Sequence, residues 1–210
     1  MAGRGTTAAD LGAWVCFEDE SGQGLRPPRA RSRGRRGCTP VVRVRGGGWG
    51  RISIAALTCY RPGCRSRLIY RLHLWRGRDG EPKSFSWMDY RDLIIDARQR
   101  LGAPIVLVWD NLNRHPVPGM RAFVEQNTAW LTVVQLPSYA PDLNPAEGVW
   151  SLLKRGALAN LAVADLHQLV RVAKRGLKKI QYRSHLVDGC LAETGLTLTP
   201  SAITPSDITH

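Results

Sequence analysis

Two near-continuous apolar runs, Pro104 to Trp109 (PIVLVW) and Trp130 to Leu136 (WLTVVQL), restrict the fold more than any other feature of the chain. Neither alternates strictly between polar and apolar residues, so a strand made from either must be covered on both faces. Parallel strands inside a sheet, with helices above and below, meet that condition. The neighbouring segments supply the helices. Ser84 to Leu101 brings Phe85, Met88, Leu93, Ile94, Ala97 and Leu101 near 3.6-residue spacing and stops at Gly102. Pro116 to Gln126 reads as a second helix. Asn144 to Leu161 reads as a third, with Asn144 as N-cap and Pro145 at the first helical position. Ala162 to Tyr182 is the last, apolar at Leu166, Leu169, Val170, Ala173, Leu177 and Ile180 and basic at Arg171, Lys174, Arg175, Lys178 and Lys179.

Upstream the pattern is different. Trp14 to Phe17 is a β-prone run that ends at Glu18-Asp19-Glu20. Thr39 to Val44, Arg51 to Thr58 and Arg67 to Leu74 are further strand candidates, separated by Gly, Pro and Arg connections. Three or four strands in succession read as an antiparallel meander. The fold class expected is α/β: a mixed sheet, antiparallel first and parallel afterwards, with helices on both faces. A leader over 1–13, one domain over 14–182 and a tail over 183–210, disordered from about Thr197, complete the expected organisation.

Charge narrows the partner. Thirty Lys and Arg against 17 Asp and Glu leave a net +13, which points to a polyanion, nucleic acid first. Arg26 to Arg51 holds nine arginines and no acid, so phosphate contact is favoured over a merely solvated loop. No apolar run approaches the ~20 residues of a membrane span, and the start has no apolar signal-peptide core. Five irregularly spaced cysteines suggest reduced thiols and a cytoplasmic location. Cys59 and Cys64 lack a second ligand pair for zinc at suitable spacing.

Three acids fall where this layout gathers side chains at one sheet edge. Asp19 closes the first strand, Asp110 follows the PIVLVW strand, and Glu147 lies in the first turn of the helix begun by Asn144. The first strand and the PIVLVW strand are expected to be neighbours. Strand alternation sends Glu18 and Glu20 to the face opposite Asp19. Each acid has an ordinary alternative: a turn or cap for Asp19 and Asp110, complementing the helix dipole for Glu147. Together they form a cluster whose mutual repulsion a divalent cation would remove. Oxygen ligands with open positions suit Mg²⁺ or Mn²⁺, and a two-metal carboxylate site suits phosphodiester cleavage or transfer.

The segments VLVWDNLNRH and LPSYAPDLNPAEGVWSLLK resemble the DDE transposases of insertion sequences in the Tc/mariner superfamily. Asp110, Asn111, His115, Pro137, Tyr139, Pro141, Leu143, Asn144, Pro145, Glu147 and Trp150 carry the likeness, and FEDESGQ resembles the first catalytic segment. Thirty-six residues separate Asp110 from Glu147, close to the family's spacing. The resemblance spans about Trp14 to Lys179 and implies a ribonuclease-H-like fold. It implies two Mg²⁺ (Mn²⁺ as substitute) held by the catalytic Asp19, Asp110 and Glu147, and DNA strand cleavage followed by strand transfer. Transposon ends and target DNA, with TA as target, are the implied partners, in a bacterial, nucleoid-associated setting. The helix-turn-helix region usual in the family is not found in this sequence, so an upstream helix-turn-helix half is an expected partner, and synapsis of two ends suggests a homodimer.

Arg31, Arg33, Arg35, Arg36, His115 and Lys154 are the candidate DNA contacts, and Asn111 and Asn144 the candidates for positioning the acids. His115 also fits a surface or capping role, and Trp150 is read as core packing ahead of base stacking. Two other functions compete with the transposase: a DNA-binding remnant that cuts nothing, and a host nuclease of the same fold.

Overall fold

The apolar run after Pro104 becomes a central strand because both its faces are covered. In the computed structural model, which describes residues 12–29, 35–38, 41, 50–109, 117–137 and 141–198, five strands form one sheet. They are β1 (Trp14–Gly24), β2 (Arg51–Tyr60), β3 (Arg67–Trp75), β4 (Ile105–Trp109) and β5 (Leu131–Gln135), in the order β3-β2-β1-β4-β5. β1, β2 and β3 pair antiparallel, and β4 and β5 continue parallel from β1. This is the mixed sheet expected from the change in sequence pattern. The expected strand over Thr39 to Val44 lies outside the described residues, apart from Val41, which is exposed.

Helices α1 (Trp87–Leu101) and α2 (Pro118–Gln126) form one layer. Trp14 and Cys16 of β1 face it, with Leu107 of β4 and Leu93, Ile94 and Met120 of the helices in the same apolar cluster. The other layer is α3 (Pro145–Arg155), α4 (Leu166–Gln181) and α5 (Ser184–Glu193). Val15 and Phe17 face that side and pack with Val149, Trp150, Leu153, Leu177 and Val187. Period-two alternation along β1 therefore sorts its side chains between two cores.

Several boundaries differ from the sequence expectation, the larger ones as follows. β1 does not end at the acids; it runs on to Gly24, paired to β2 along its length, so Asp19 sits within the strand opposite Ala56. Glu20 is held there by the Ser84 hydroxyl at 2.7 Å and the Tyr90 phenol at 2.5 Å, both donating to its carboxylate. The third helix stops at Arg155 rather than Leu161. Gly156 leaves helical geometry, and a Cβ there would lie 2.6 Å from the Leu152 carbonyl oxygen. The fourth starts at Leu166, because the Asp165 carboxylate caps it by accepting from the Gln168 amide at 2.7 Å. Finally, folded structure continues past Tyr182. α5 packs closely on α3, where a Cβ on Gly148 would come within 2.8 Å of the Cys190 sulfur.

Candidate functional site

Asp19 is carried by an interior strand and turned toward α3. The residue is 8% exposed, although a carboxylate in water would be strongly solvated. Both its oxygens are oriented: Oδ2 accepts from the Trp150 indole N–H at 2.8 Å and Oδ1 from the Glu20 backbone N–H at 2.8 Å. Burial pushes the Asp19 pKa up to about 7, with the negative charges of Glu147 and Glu18 adding to the rise and the two hydrogen bonds opposing it.

Glu147 comes from the opposite side of the site. It sits in the first turn of α3 and is exposed to solvent. The sequence explains why the helix begins at this point. Pro145 is pre-set for the first helical position, and the Asn144 side-chain oxygen accepts from the Ala146 amide at 3.1 Å. The Asn144 amide also donates to the Glu18 carbonyl at 3.1 Å, and the residue is 4% exposed. One buried side chain thus caps α3 and ties its N-terminus to β1 beside Asp19. Asn144, a candidate for positioning the acids, bonds both the strand that carries Asp19 and the helix that carries Glu147.

The third acid follows β4. Phe17 of β1 pairs with Val108 of β4, and Trp109 ends the strand, so the end of β4 lies beside β1 just before Asp19. The first and PIVLVW strands are neighbours, as expected. Asp110, Asn111 and His115 lie outside the described residues, as do Arg31 and Arg33. Arg35 and Arg36 are described and exposed, in a short turn. Lys154 is half-buried two helical turns after Glu147, on nearly the same side of α3.

Trp150 has a part that the sequence reading missed. It is buried in the core, as expected, but it also donates to Asp19. A signal was available: Glu147 and Trp150 are three residues apart, so they share a helix face. An acid meant to meet another acid across that face brings the indole with it.

The donor set fits a divalent cation. Among the described residues no ion pair includes Asp19 or Glu147, so two carboxylates repel each other without a cationic partner. Each Asp19 oxygen accepts one hydrogen bond and keeps lone-pair capacity. Hard oxygen donors of this kind are what Mg²⁺ and Mn²⁺ take. No group of three ligating side chains occurs among the described residues, and Asp110 lies outside them.

Part of the sequence, and the fold, are similar to known proteins. Residues 81–170, which include β4 and Glu147, match the family described as DDE superfamily endonuclease. No curated protein matches the chain. Among solved structures, the Mos1 strand transfer complex aligns at 17% identity with a TM-score of 0.52, covering 90% of this chain and 57% of that one. The Mos1 transposase paired-end complex with left transposon end gives the same values. The Mos1 mariner paired-end complex with Mn aligns at 18% identity and a TM-score of 0.51, covering 88% and 56%. The sequence match covers residues 81–170, and the fold of the chain is similar to that of the Mos1 structures. The chain spans less than two thirds of the length of these structures. No helix among the described residues is long and apolar enough to cross a membrane.

Proposed function

We propose that the chain acts as the catalytic domain of a DDE transposase. It would cut a DNA strand at the end of an insertion sequence by hydrolysis, then join the freed 3′-hydroxyl to target DNA. The observation that carries this reading is Asp19, a carboxylate buried on β1, oriented through both oxygens and faced by the Glu147 charge from α3. Glu147 lies within the segment that matches the DDE endonuclease family, and Asp110 follows the strand beside β1.

In this reading Asp19, Asp110 and Glu147 hold two Mg²⁺, with Mn²⁺ as substitute. When bound, the ions activate the attacking oxygen and stabilise the leaving one. The chain's own contribution is placement. Trp150 and the Glu20 amide fix the Asp19 oxygens, and Asn144 fixes the helix that carries Glu147. Arg31, Arg33, Arg35, Arg36, His115 and Lys154 are assigned to the DNA backbone, and Asn111 to orienting Asp110. The fitting partners are transposon ends, a TA target, a helix-turn-helix half that reads the ends, and a second copy for pairing two ends. The setting is the bacterial cytoplasm, at the nucleoid.

The test is nicking of supercoiled plasmid in Mn²⁺, with the melting temperature followed with and without the ion. Wild type is expected to nick and to melt higher with Mn²⁺, and Asp110→Ala to do neither. Nicking by Asp110→Ala at the wild-type rate would overturn the site assignment. A wild type that binds Mn²⁺ but leaves the plasmid intact would overturn the assignment of cleavage to this chain alone.

A further inference from the structure

The edge of the sheet away from β4 and β5 carries a groove of about 740 Å³ beside β3. Tyr70, Leu72 and Leu74, alternate residues of β3, form its floor. Lys174, Arg175 and Lys178 of α4 form a wall, and Arg100 at the end of α1 reaches it from the helix layer on the other face. α4 contains five Lys or Arg between Leu166 and Gln181 and no Asp or Glu. Lysine is scarce in this chain, five against 25 arginines, yet three of the five stand on α4. Among the described residues, none of Lys174, Arg175 and Lys178 has a carboxylate within ion-pair distance, whereas Arg100 pairs with Asp96 at 2.8 Å. The Lys178 ammonium lies 5.6 Å from the ring centre of Tyr182, an aromatic 65% exposed.

We propose that this groove is a second DNA site, holding the phosphate backbone of a duplex apart from the carboxylates; the proposal rests on the DNA-cleavage reading above. Charge complementarity selects the occupant. Lys174 and Lys178 are one helical turn apart, about 6 Å along the axis, which is about the rise of two phosphates of one strand. The lining offers cations for phosphates, while the Gln181 amide donates to the Leu68 carbonyl at 2.7 Å. A membrane surface fits poorly, because the apolar face of α4 (Leu169, Ala173, Leu177 and Ile180) is buried in the core.

Placement separates the two sites. Asp19 pairs with Ala56, and Ala56 with Tyr70, so the groove floor lies in line with Asp19 two strands away, roughly 10 Å across the sheet. The groove thus offers its cations at the outer edge of the sheet, two strands from Asp19. The competing role for edge cations is to block pairing with another sheet, which requires no DNA.

The experiment is equilibrium binding of the full chain to a duplex of roughly 30 base pairs, without divalent ions, between about 50 and 200 mM salt. For Lys174→Gln/Arg175→Gln/Lys178→Gln, the slope of log affinity against log salt should fall by about 2.7, or ~0.9 for each lost phosphate contact. The charge-keeping Lys174→Arg/Arg175→Lys/Lys178→Arg should retain the wild-type slope. Arg91→Gln/Arg98→Gln/Arg121→Gln, an equal charge loss on α1 and α2, should change the slope by less than about one. An unchanged slope in the groove variant, or equal losses in both neutralised triples, would overturn the proposal. So would a binding loss confined to vesicles of phosphatidylserine and phosphatidylcholine. The assay needs no cleavage, so the proposal can fail while nicking stands, and a non-nicking wild type leaves the binding result readable.

Discussion

Asp19 and Glu147 are both acids of the candidate site, but the fold treats them in opposite ways. Asp19 is fixed in a sheet, nearly closed to water, with both oxygens hydrogen-bonded. Glu147 stands exposed in a helix's first turn, where the helix dipole favours its charge. On the proposed metal-binding reading, β1 would supply a rigid, destabilised ligand and α3 one that can adjust. Ground-state cost therefore concentrates at Asp19, and a bound cation would remove it. Substitutions at the two positions should separate stability from activity in different ways.

The largest effect is expected at Asp19. Its pKa rises from 3.8 unfolded to about 7 folded, so the folded state binds the extra proton between those values. The metal-free protein therefore loses stability as pH climbs from about 4 to 7, by about 4 kcal/mol from this group at ~1.4 kcal/mol per unit. Asp19→Asn should abolish nicking while raising metal-free stability at neutral pH, and should flatten the pH dependence in denaturant titrations. A variant less stable than wild type at pH 8 would show that the Asp19 charge is not the costly group.

Trp150→Phe comes next. It keeps an aromatic body in the core but removes the donor to Asp19 Oδ2. The loss should be about 2–3 kcal/mol where Asp19 is charged, because a bond to a charged group is worth ~1.5–3. The difference should shrink toward acid pH, where Asp19 is protonated, and Mn²⁺-dependent nicking should fall. A pH-independent loss would mark Trp150 as packing alone. Asn144→Ala removes a cap and the tie to the Glu18 carbonyl. It should cost about 1–2 kcal/mol at any pH, read by thermal melting, and should weaken nicking by letting α3 drift from β1.

The same contrast marks what the sequence could disclose. The helix start that carries Glu147 was legible because its determinants are local: Asn144, Pro145 and the acid fall within four residues. The central strands were legible because their covering is written in continuous apolar runs. The extension of β1 past Asp19 was not, since three adjacent acids read locally as a strand end. What holds them in the strand comes from far along the chain: Ser84 and Tyr90 to Glu20, and Trp150 to Asp19, separated by 64, 70 and 131 residues. α5 was missed for a similar reason. Its place depends on close packing at Gly148 and Cys190, which no periodicity in SHLVDGCLAE announces.

The smallest stability effect and a complete loss of activity should meet at Glu147. Glu147→Gln keeps size and helix propensity and removes a charge that is solvent-exposed. The lost helix-dipole interaction is worth about 0.3–1 kcal/mol. Part of it is returned, because Glu147 no longer repels Asp19. Melting temperature should therefore barely move, while the Asp19 pKa falls below about 7, with burial still holding it above its ordinary value. Nicking should disappear, because an amide is a weak ligand for a hard cation. The decisive readout is the pair of results on one protein: unchanged melting with lost Mn²⁺-dependent nicking and lost Mn²⁺ stabilisation. If Glu147→Gln kept wild-type nicking, the exposed acid would be only a helix-dipole residue, and the contrast with Asp19 would no longer describe two ligands of one site.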